Sequence, residues 1–174
     1  MKYLTILLKK SANIKSQYDY IIVGQGLAGT ILHFHLWERR KNVLVIDNNH
    51  KKSSSLVAAG MYNPIVFKHV TKGYNVDNYS PYLGPFYKRL EKLLNTQFDF
   101  PINILRFFKT IEQQNDFFSK TEEDGFSQYL VSESKSEVNE LPVKNEIGFG
   151  EITETGWVNT VELLHKYRGF LESK

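Results

Sequence analysis

The sequence predicts an α/β fold built on a parallel strand–helix–strand unit. Three observations predict it: an unbroken apolar run at Tyr20–Val23, a second at Val43–Ile46, and between them a glycine-rich turn leading into apolar residues at helical spacing. Short apolar runs without polar alternation are what a parallel strand covered on both faces requires. From Leu27 to about Arg40, the residues Leu27, Ala28, Ile31, Leu32, Phe34 and Trp37 recur mostly at helical spacing, and Glu38-Arg39-Arg40 closes the segment with charge. Tyr18 to Asp47 is 30 residues, the length of one βαβ unit.

Composition narrows the class. The 174 residues suffice for one domain with a proper core and are too few for two complete ones. A chain that is 41% hydrophobic and 24% charged is globular, and 14% aromatic content builds its core heavily from Phe and Tyr. The absence of cysteine excludes disulfides, thiolate metal sites and a cysteine nucleophile, and suits a reducing cytoplasm. The net charge of +3 is spread along the chain, with Glu and Asp mixed among the lysines from Glu112 onward. No basic block interleaves with aromatics, so no nucleic-acid partner is expected. The apolar run Tyr3–Leu8 is shorter than a secretory core, and no stretch is long enough to cross a bilayer. A soluble, cytoplasmic protein without stable membrane insertion is expected, with residues 1–17 as an arm before the domain.

The remaining elements follow from local signals. Asn48–Ser55 is polar and loop-like, and Leu56–Gly60 is a short apolar turn. Ser80-Pro81 predicts a helix start, because Ser caps and Pro suits a first turn, and Tyr82–Leu94 continues at helical spacing. Ile102–Phe108 is strand-like. Thr110 and Gln113 have capping-box spacing for a helix through Phe118. Lys120–Asn145 reads as strands and loops, Ile147–Ile152 as another strand, and Asn159 with Glu162 as the start of a helix from Val161 to about Leu171.

Gly24-Gln25-Gly26-Leu27-Ala28-Gly29 matches G-x-G-x-x-G. The first glycine makes the strand-to-helix turn, the second lets a pyrophosphate approach the backbone, and the third lets helix and strand pack closely. The helix N-terminus then offers free N–H groups and a positive dipole end to phosphates. With 11 glycines in 174 residues, about 0.04 accidental matches are expected per chain, so context decides. Here a buried-type strand precedes the match, a helix follows, and Asp47 ends the next strand 18 residues after Gly29. A carboxylate there accepts the ribose hydroxyls of an adenosine and repels the 2′-phosphate of NADP. A Rossmann-type dinucleotide site is the result, for FAD or NAD. Lys51 and Lys52 read as solvated loop charges.

The next segment, Asp47–Met61, runs D-N-N-H-K-K-S-S-S-L-V-A-A-G-M. Here the chain resembles the D-amino-acid oxidase/glycine oxidase family of FAD-dependent oxidoreductases, in which the strand-ending acid is followed by a hydroxyl cluster and an Ala-Ala-Gly turn. The resemblance implies that Asp47 holds the adenosine ribose with Asn48 beside it, that Ser53, Ser54 and Ser55 line the pyrophosphate, and that Ala59, Gly60 and Met61 pass against the flavin. Small hydroxyl side chains do donate to phosphate oxygens, and a glycine lets backbone N–H reach a ring edge. More loosely, Gly156-Trp157-Val158-Asn159 and the helix after it resemble the stretch before the family's third parallel strand. The segments that complete the substrate sheet and grip the substrate carboxylate in relatives find no counterpart before Lys174, so the chain reads as truncated.

The expected division is an arm (1–17), an FAD-binding portion (18–76), part of an α+β substrate region (77–154) and a helix returning to the FAD domain (155–174). The expected function is oxidation of the C–N bond of a small amine or amino acid by hydride transfer to flavin N5, with oxygen as acceptor. The alternatives are an NAD-dependent dehydrogenase and a non-catalytic nucleotide-binding remnant. The family chemistry requires no protein acid or base, so no catalytic residue is assigned. Tyr62, Lys68 and His69 follow the flavin-contact turn but suit loop and packing roles better. His33 and His35 are two apart on a helix and do not share a face as metal ligands would; no metal site is expected. Phe107-Phe108 and Phe117-Phe118 read as core.

Overall fold

The computed structural model describes residues 17–48, 53–131 and 147–174. In chain order, β1 (Tyr20–Val23), α1 (Leu27–Glu38) and β2 (Val43–Ile46) come first, then the single helical turn α2 (Ser54–Val57). Three two-residue strands follow, β3 (Met61–Tyr62), β4 (Ile65–Val66) and β5 (Thr71–Lys72), and then the long helix α3 (Val76–Leu94). Strands β6 (Asp99–Pro101) and β7 (Ile104–Phe107) precede α4 (Ile111–Thr121). The last elements are β8 (Leu130–Val131), β9 (Phe149–Ile152), β10 (Gly156–Val158) and α5 (Thr160–Glu172). The expected residue-1–17 arm, apart from Gln17, and Lys51, Lys52 and most of the expected strand-and-loop stretch 120–145 lie outside the described residues.

Two compact units divide the chain. Among the described residues, the first comprises 17–48, 53–60, Lys88–Phe98 and Asn159–Lys174; the second comprises Met61–Tyr87, 99–131 and 147–158.

In the first unit β1 and β2 pair in parallel, with Tyr20 opposite Val43 and Val23 opposite Ile46. This is the strand–helix–strand unit that the two apolar runs predict. The strands depart from expectation in burial. Only Ile22 of β1 is buried; Ile21 is 62% and Val23 81% exposed. Alternation explains it: Ile22 points to the side where α1 crosses, and an added Gly29 Cβ would lie 3.3 Å from its Cγ2, whereas Ile21 and Val23 point to the other face. Helix α1 stops two residues before Arg40. Arg40 takes a left-handed conformation (φ 57°), and Lys41 N–H and Arg40 N–H bond back to the carbonyls of Leu36 and Trp37, a Schellman ending built without glycine. The core joins Phe34, Leu90, Phe98, Leu163 and Tyr167, all almost fully buried.

Among its described residues the second unit contains two three-stranded antiparallel sheets, β3-β10-β6 and β7-β9-β8, and the hairpin β4-β5. The expected strand 102–108 is thus confined to β7, with Pro101 closing the edge strand β6, where a missing donor is tolerated. Its core gathers Ile65, Phe108, Phe117, Tyr129, Leu130 and Ile152. Of the phenylalanine pairs, Phe108 and Phe117 are buried in it.

Helix α3 begins at Val76, well before the expected start at Ser80-Pro81, and carries both Pro81 and Pro85 internally. The reason is tertiary. Asp77, in the first turn, accepts hydrogen bonds from Lys72 Nζ (2.6 Å), Tyr129 Oη (2.9 Å) and Gln128 Nε2 (3.1 Å), and these hold the extra turn. The prolines are four apart on an exposed face, so the carbonyls of Asp77 and Pro81 that lose an N–H partner belong to exposed residues. Helix α4 starts as expected, with the Thr110 hydroxyl accepting from Gln113 N–H (3.2 Å), and runs three residues beyond Phe118. Helix α5 starts under its own cap, Asn159 Oδ1 accepting from Glu162 N–H at 3.1 Å. Among the described residues no helix is long and apolar enough to cross a membrane.

Candidate functional site

The glycine turn, the end of β2, α2 and α5 converge in the first unit. Gly24 has φ 99°, a conformation costly for any side chain, and its N–H bonds to the Ile46 carbonyl at 2.7 Å, tying the turn to the neighbouring strand. Gly29 is needed for a different reason: a Cβ there would lie 2.0 Å from the Gly24 carbonyl oxygen. Helix and strand touch backbone to backbone at this point, the close packing for which the third glycine of the pattern exists.

Gly26 stands at the N-cap of α1 and has no side chain with which to cap it. Ser55, from α2, fills that role: Leu27 N–H donates to its Oγ at 3.1 Å. A Cβ on Gly26 would come 3.1 Å from the same Oγ. An oxygen therefore already sits at the positive end of α1, in a cradle that a side chain at residue 26 would close. Ala28 lies in the first turn of the same helix.

Asp47, directly after β2, faces the same turn. Its Oδ2 accepts from Gln25 N–H at 2.8 Å, and its Oδ1 accepts from the Arg168 guanidinium at 2.8 Å. Gln25 itself is buried and extends the network. Its Nε2 donates to Thr30 Oγ1 (3.1 Å) and to the Leu164 carbonyl (3.3 Å), and its Oε1 accepts from Arg168 Nε (2.8 Å). One further polar contact joins α5 to α1, a 2.6 Å hydrogen bond between His33 Nδ1 and Tyr167 Oη. Burial lowers the His33 pKa below its ordinary value and raises that of Tyr167, so both are neutral near pH 7.

Of the residues singled out in the sequence, the structure brings Gly24, Gly26, Leu27, Gly29, Asp47 and Ser55 to one corner. Ser53 is the N-cap of α2 and makes no capping bond with its side chain, Ser54 is exposed, and Asn48 is exposed beside Asp47. Ala59 is exposed, Gly60 takes φ 74°, and Met61 opens β3 in the second unit. Tyr62 donates to Asp99 Oδ1 at 3.1 Å and packs near Tyr87. Its pKa is raised by burial and by the Asp99 carboxylate, and an added Gly156 Cβ would strike its hydroxyl, so its role is packing.

Sequence reading missed Gln25 and Arg168. Gln25 is a variable position of the glycine pattern and gives no signal. Arg168 gives one: it follows Leu164 by four residues and Tyr167 by one, on the stripe of α5 that is buried. A cation on an apolar stripe needs an acid, and Asp47 is that acid.

Among the described residues no group of three His, Asp or Glu is placed to hold a metal ion. A cleft of about 430 Å³, lined by Trp37, Glu38, Arg40, Lys41 and Asn42, lies at the opposite end of α1 from the glycine turn.

No protein-family model matches the chain. Solved structures do match. Iminodiacetate oxidase from Chelativorans sp. BNC1 and glycine oxidase from Bacillus cereus ATCC 14579 each superpose with TM-score 0.63 at 17% identity, over 88% of this chain and 44% of theirs. L-Amino acid deaminase from Proteus myxofaciens superposes with TM-score 0.64 at 13% identity, over 90% of this chain and 37% of that one. At such identities the likeness speaks for the fold, and the resemblance read from Tyr20–Met61 holds at that level. The chain thus has the α/β fold of the glycine oxidase and amino-acid deaminase structures, over a stretch that corresponds to less than half of each of those chains.

Proposed function

We propose that this chain carries the FAD-binding part of an oxidoreductase that oxidises the C–N bond of a small amine or amino acid. One observation carries the reading: Ser55 Oγ lies 3.1 Å from Leu27 N–H at the start of α1, while Asp47 closes the same corner. The glycine pattern and the acid serve NAD and FAD alike. A serine arriving from the segment after β2 is the part that matches the FAD-dependent family.

The corner fits a dinucleotide. The Ser55 oxygen occupies a position suited to a phosphate oxygen, and the Gly26 cradle is open because that residue has no Cβ. The Arg168 and Gln25 N–H groups give Asp47 two donors, the same kind of partner that ribose hydroxyls supply. In the proposed complex the first turn of α1 (Leu27, Ala28) and Ser53–Ser55 hold the pyrophosphate, and Asp47 with Asn48 holds the adenosine ribose. Ala59, Gly60 and Met61 are assigned to the flavin by the resemblance alone. Bound FAD would supply the hydride acceptor. The chain's own contribution in this corner is binding and orientation through the helix dipole and the Asp47 charge.

The deciding measurement is the absorbance spectrum of the purified chain, with any released cofactor identified, followed by melting curves with FAD, ADP and NAD. Flavin bands, or a melting temperature raised by FAD and ADP and no longer raised in Asp47→Ala, are the expected results. Protection by NAD with none by FAD replaces the reading with a dehydrogenase. Protection by none of the three leaves a non-catalytic remnant.

A further inference from the structure

We propose that the second unit carries a binding site for a small oxyanion, phosphate or carboxylate, in the cleft formed by the β4–β5 turn, β7 and α4. The cleft has a volume of about 310 Å³. The turn contributes Lys68 and His69, β7 contributes Arg106, and one face of α4 contributes Gln113, Asp116 and Lys120 at spacings of three and four.

Arg106 is the centre of the argument. It stands opposite Gly150 in the β7–β9 ladder, where an added Gly150 Cβ would lie 2.4 Å from the Phe117 ring of α4. Because successive strand residues alternate, Arg106 shares its face with Ile104, which packs on the core. Its Nη1 is buried and has no hydrogen-bond partner among the described residues. A guanidinium has five donors and no acceptor, and no described residue supplies the acceptor that Nη1 lacks. Buried, unsatisfied donors on a charged group are rare in folded proteins and ask for a bound water or anion.

Charge decides between those two. Lys68, Arg106 and Lys120 line the cleft against one carboxylate, Asp116. Lys120 is already engaged with Glu123 at 2.6 Å. Lys68 and Arg106 form no ion pair among the described residues, so within those residues the cleft holds more positive charge than Asp116 offsets. Water satisfies an N–H but does not neutralise that charge, whereas an oxyanion does both and matches the guanidinium fork in a bidentate manner. Ser119 also lines the cleft, its hydroxyl donating to the Asp116 carbonyl at 3.1 Å. The volume admits a small molecule and no polymer, and Asp116 selects against anions crowded with charge. This site shares no residue with the dinucleotide corner, and its failure leaves that reading untouched.

The test is a ¹⁵N-resolved NMR titration of the full chain with inorganic phosphate and, separately, with malonate, chloride holding ionic strength constant. Saturable shifts at Gln113, Asp116, Ser119 and Lys120, with millimolar affinity for at least one anion, are expected. Phosphate alone or malonate alone identifies the headgroup. Arg106→Gln and Lys68→Gln should each weaken binding about fivefold or more. If Arg106→Gln fails to fold by far-UV circular dichroism, Lys68→Gln on the exposed turn carries the test. No saturable shift below about 50 mM of either anion, shifts confined to residues 24–30, or undiminished binding in Lys68→Gln overturns the proposal.

Discussion

The Arg168 guanidinium and the Asp47 carboxylate form a 2.8 Å ion pair across 121 residues of sequence, and both side chains are largely shielded from water. With Gln25 N–H on its other oxygen, Asp47 links the end of β2, the glycine turn and α5. Removing one partner of such a pair leaves the other desolvated and unmatched. Asp47→Ala should therefore cost about 2–4 kcal/mol, since it takes the acceptor away from both Arg168 Nη2 and the Gln25 N–H. Arg168→Leu should cost less, because the Gln25 donor remains on the acid. Urea unfolding of both singles and the double should give a coupling energy of about 1–3 kcal/mol. Strict additivity would mean that the pair does not hold the corner together.

The two glycines at residues 29 and 169 should respond to alanine in opposite directions. A Cβ at Gly29 meets the Gly24 carbonyl oxygen at 2.0 Å, a backbone atom that cannot step aside. Gly29→Ala should cost on the order of 3 kcal/mol or more, or prevent folding. Gly169 lies inside α5 with nothing within 4 Å of the added carbon. Gly169→Ala should raise stability by up to about 1 kcal/mol by reducing the freedom of the unfolded chain. Thermal melts of the two variants side by side check both signs.

What the sequence made legible was what local pattern determines. The turn Gly24–Gly29, the two apolar runs and the caps Thr110 and Asn159 each depend on residues within a few positions of one another. What escaped depends on distant partners. Helix α3 starts early because Asp77 meets Lys72, Gln128 and Tyr129, and no propensity encodes that meeting. Gln25 was invisible because its partners Leu164 and Arg168 lie 139 and 143 residues away. The apolar run 20–23 could not reveal that only one of its faces is covered by α1.

That one-sided covering gives a third prediction, on neighbouring residues of β1. Ile22 is 6% exposed and faces Gly29, so Ile22→Ala should cost about 2–4 kcal/mol through lost burial and a cavity. Ile21 and Val23 face away, and Ile21→Thr with Val23→Thr should shift stability by less than about 1 kcal/mol, because threonine keeps the β-branched shape a strand prefers. Denaturant midpoints read both. Equal losses would mean that the outer face of β1 is covered in solution.

His33 supplies a pH dependence whose sign follows from its surroundings. Burial lowers its pKa in the folded chain, and its Nδ1 is joined to the buried Tyr167 hydroxyl. The unfolded chain therefore binds the proton more readily, and stability falls as pH drops below the ordinary histidine value of about 6.5 toward the lower folded value. Asp77 acts in a separate window. Its carboxyl pKa is lowered, chiefly by the hydrogen bonds from Lys72 and Tyr129, so its contribution is present above the ordinary carboxylate value and is lost as pH falls from there toward the lower folded value. Unfolding free energy measured from pH 7.5 to 5 should decline for the wild type. His33→Gln, which cannot titrate, should flatten that decline while lowering stability at pH 7.5. An unchanged slope would mean that another group carries the proton.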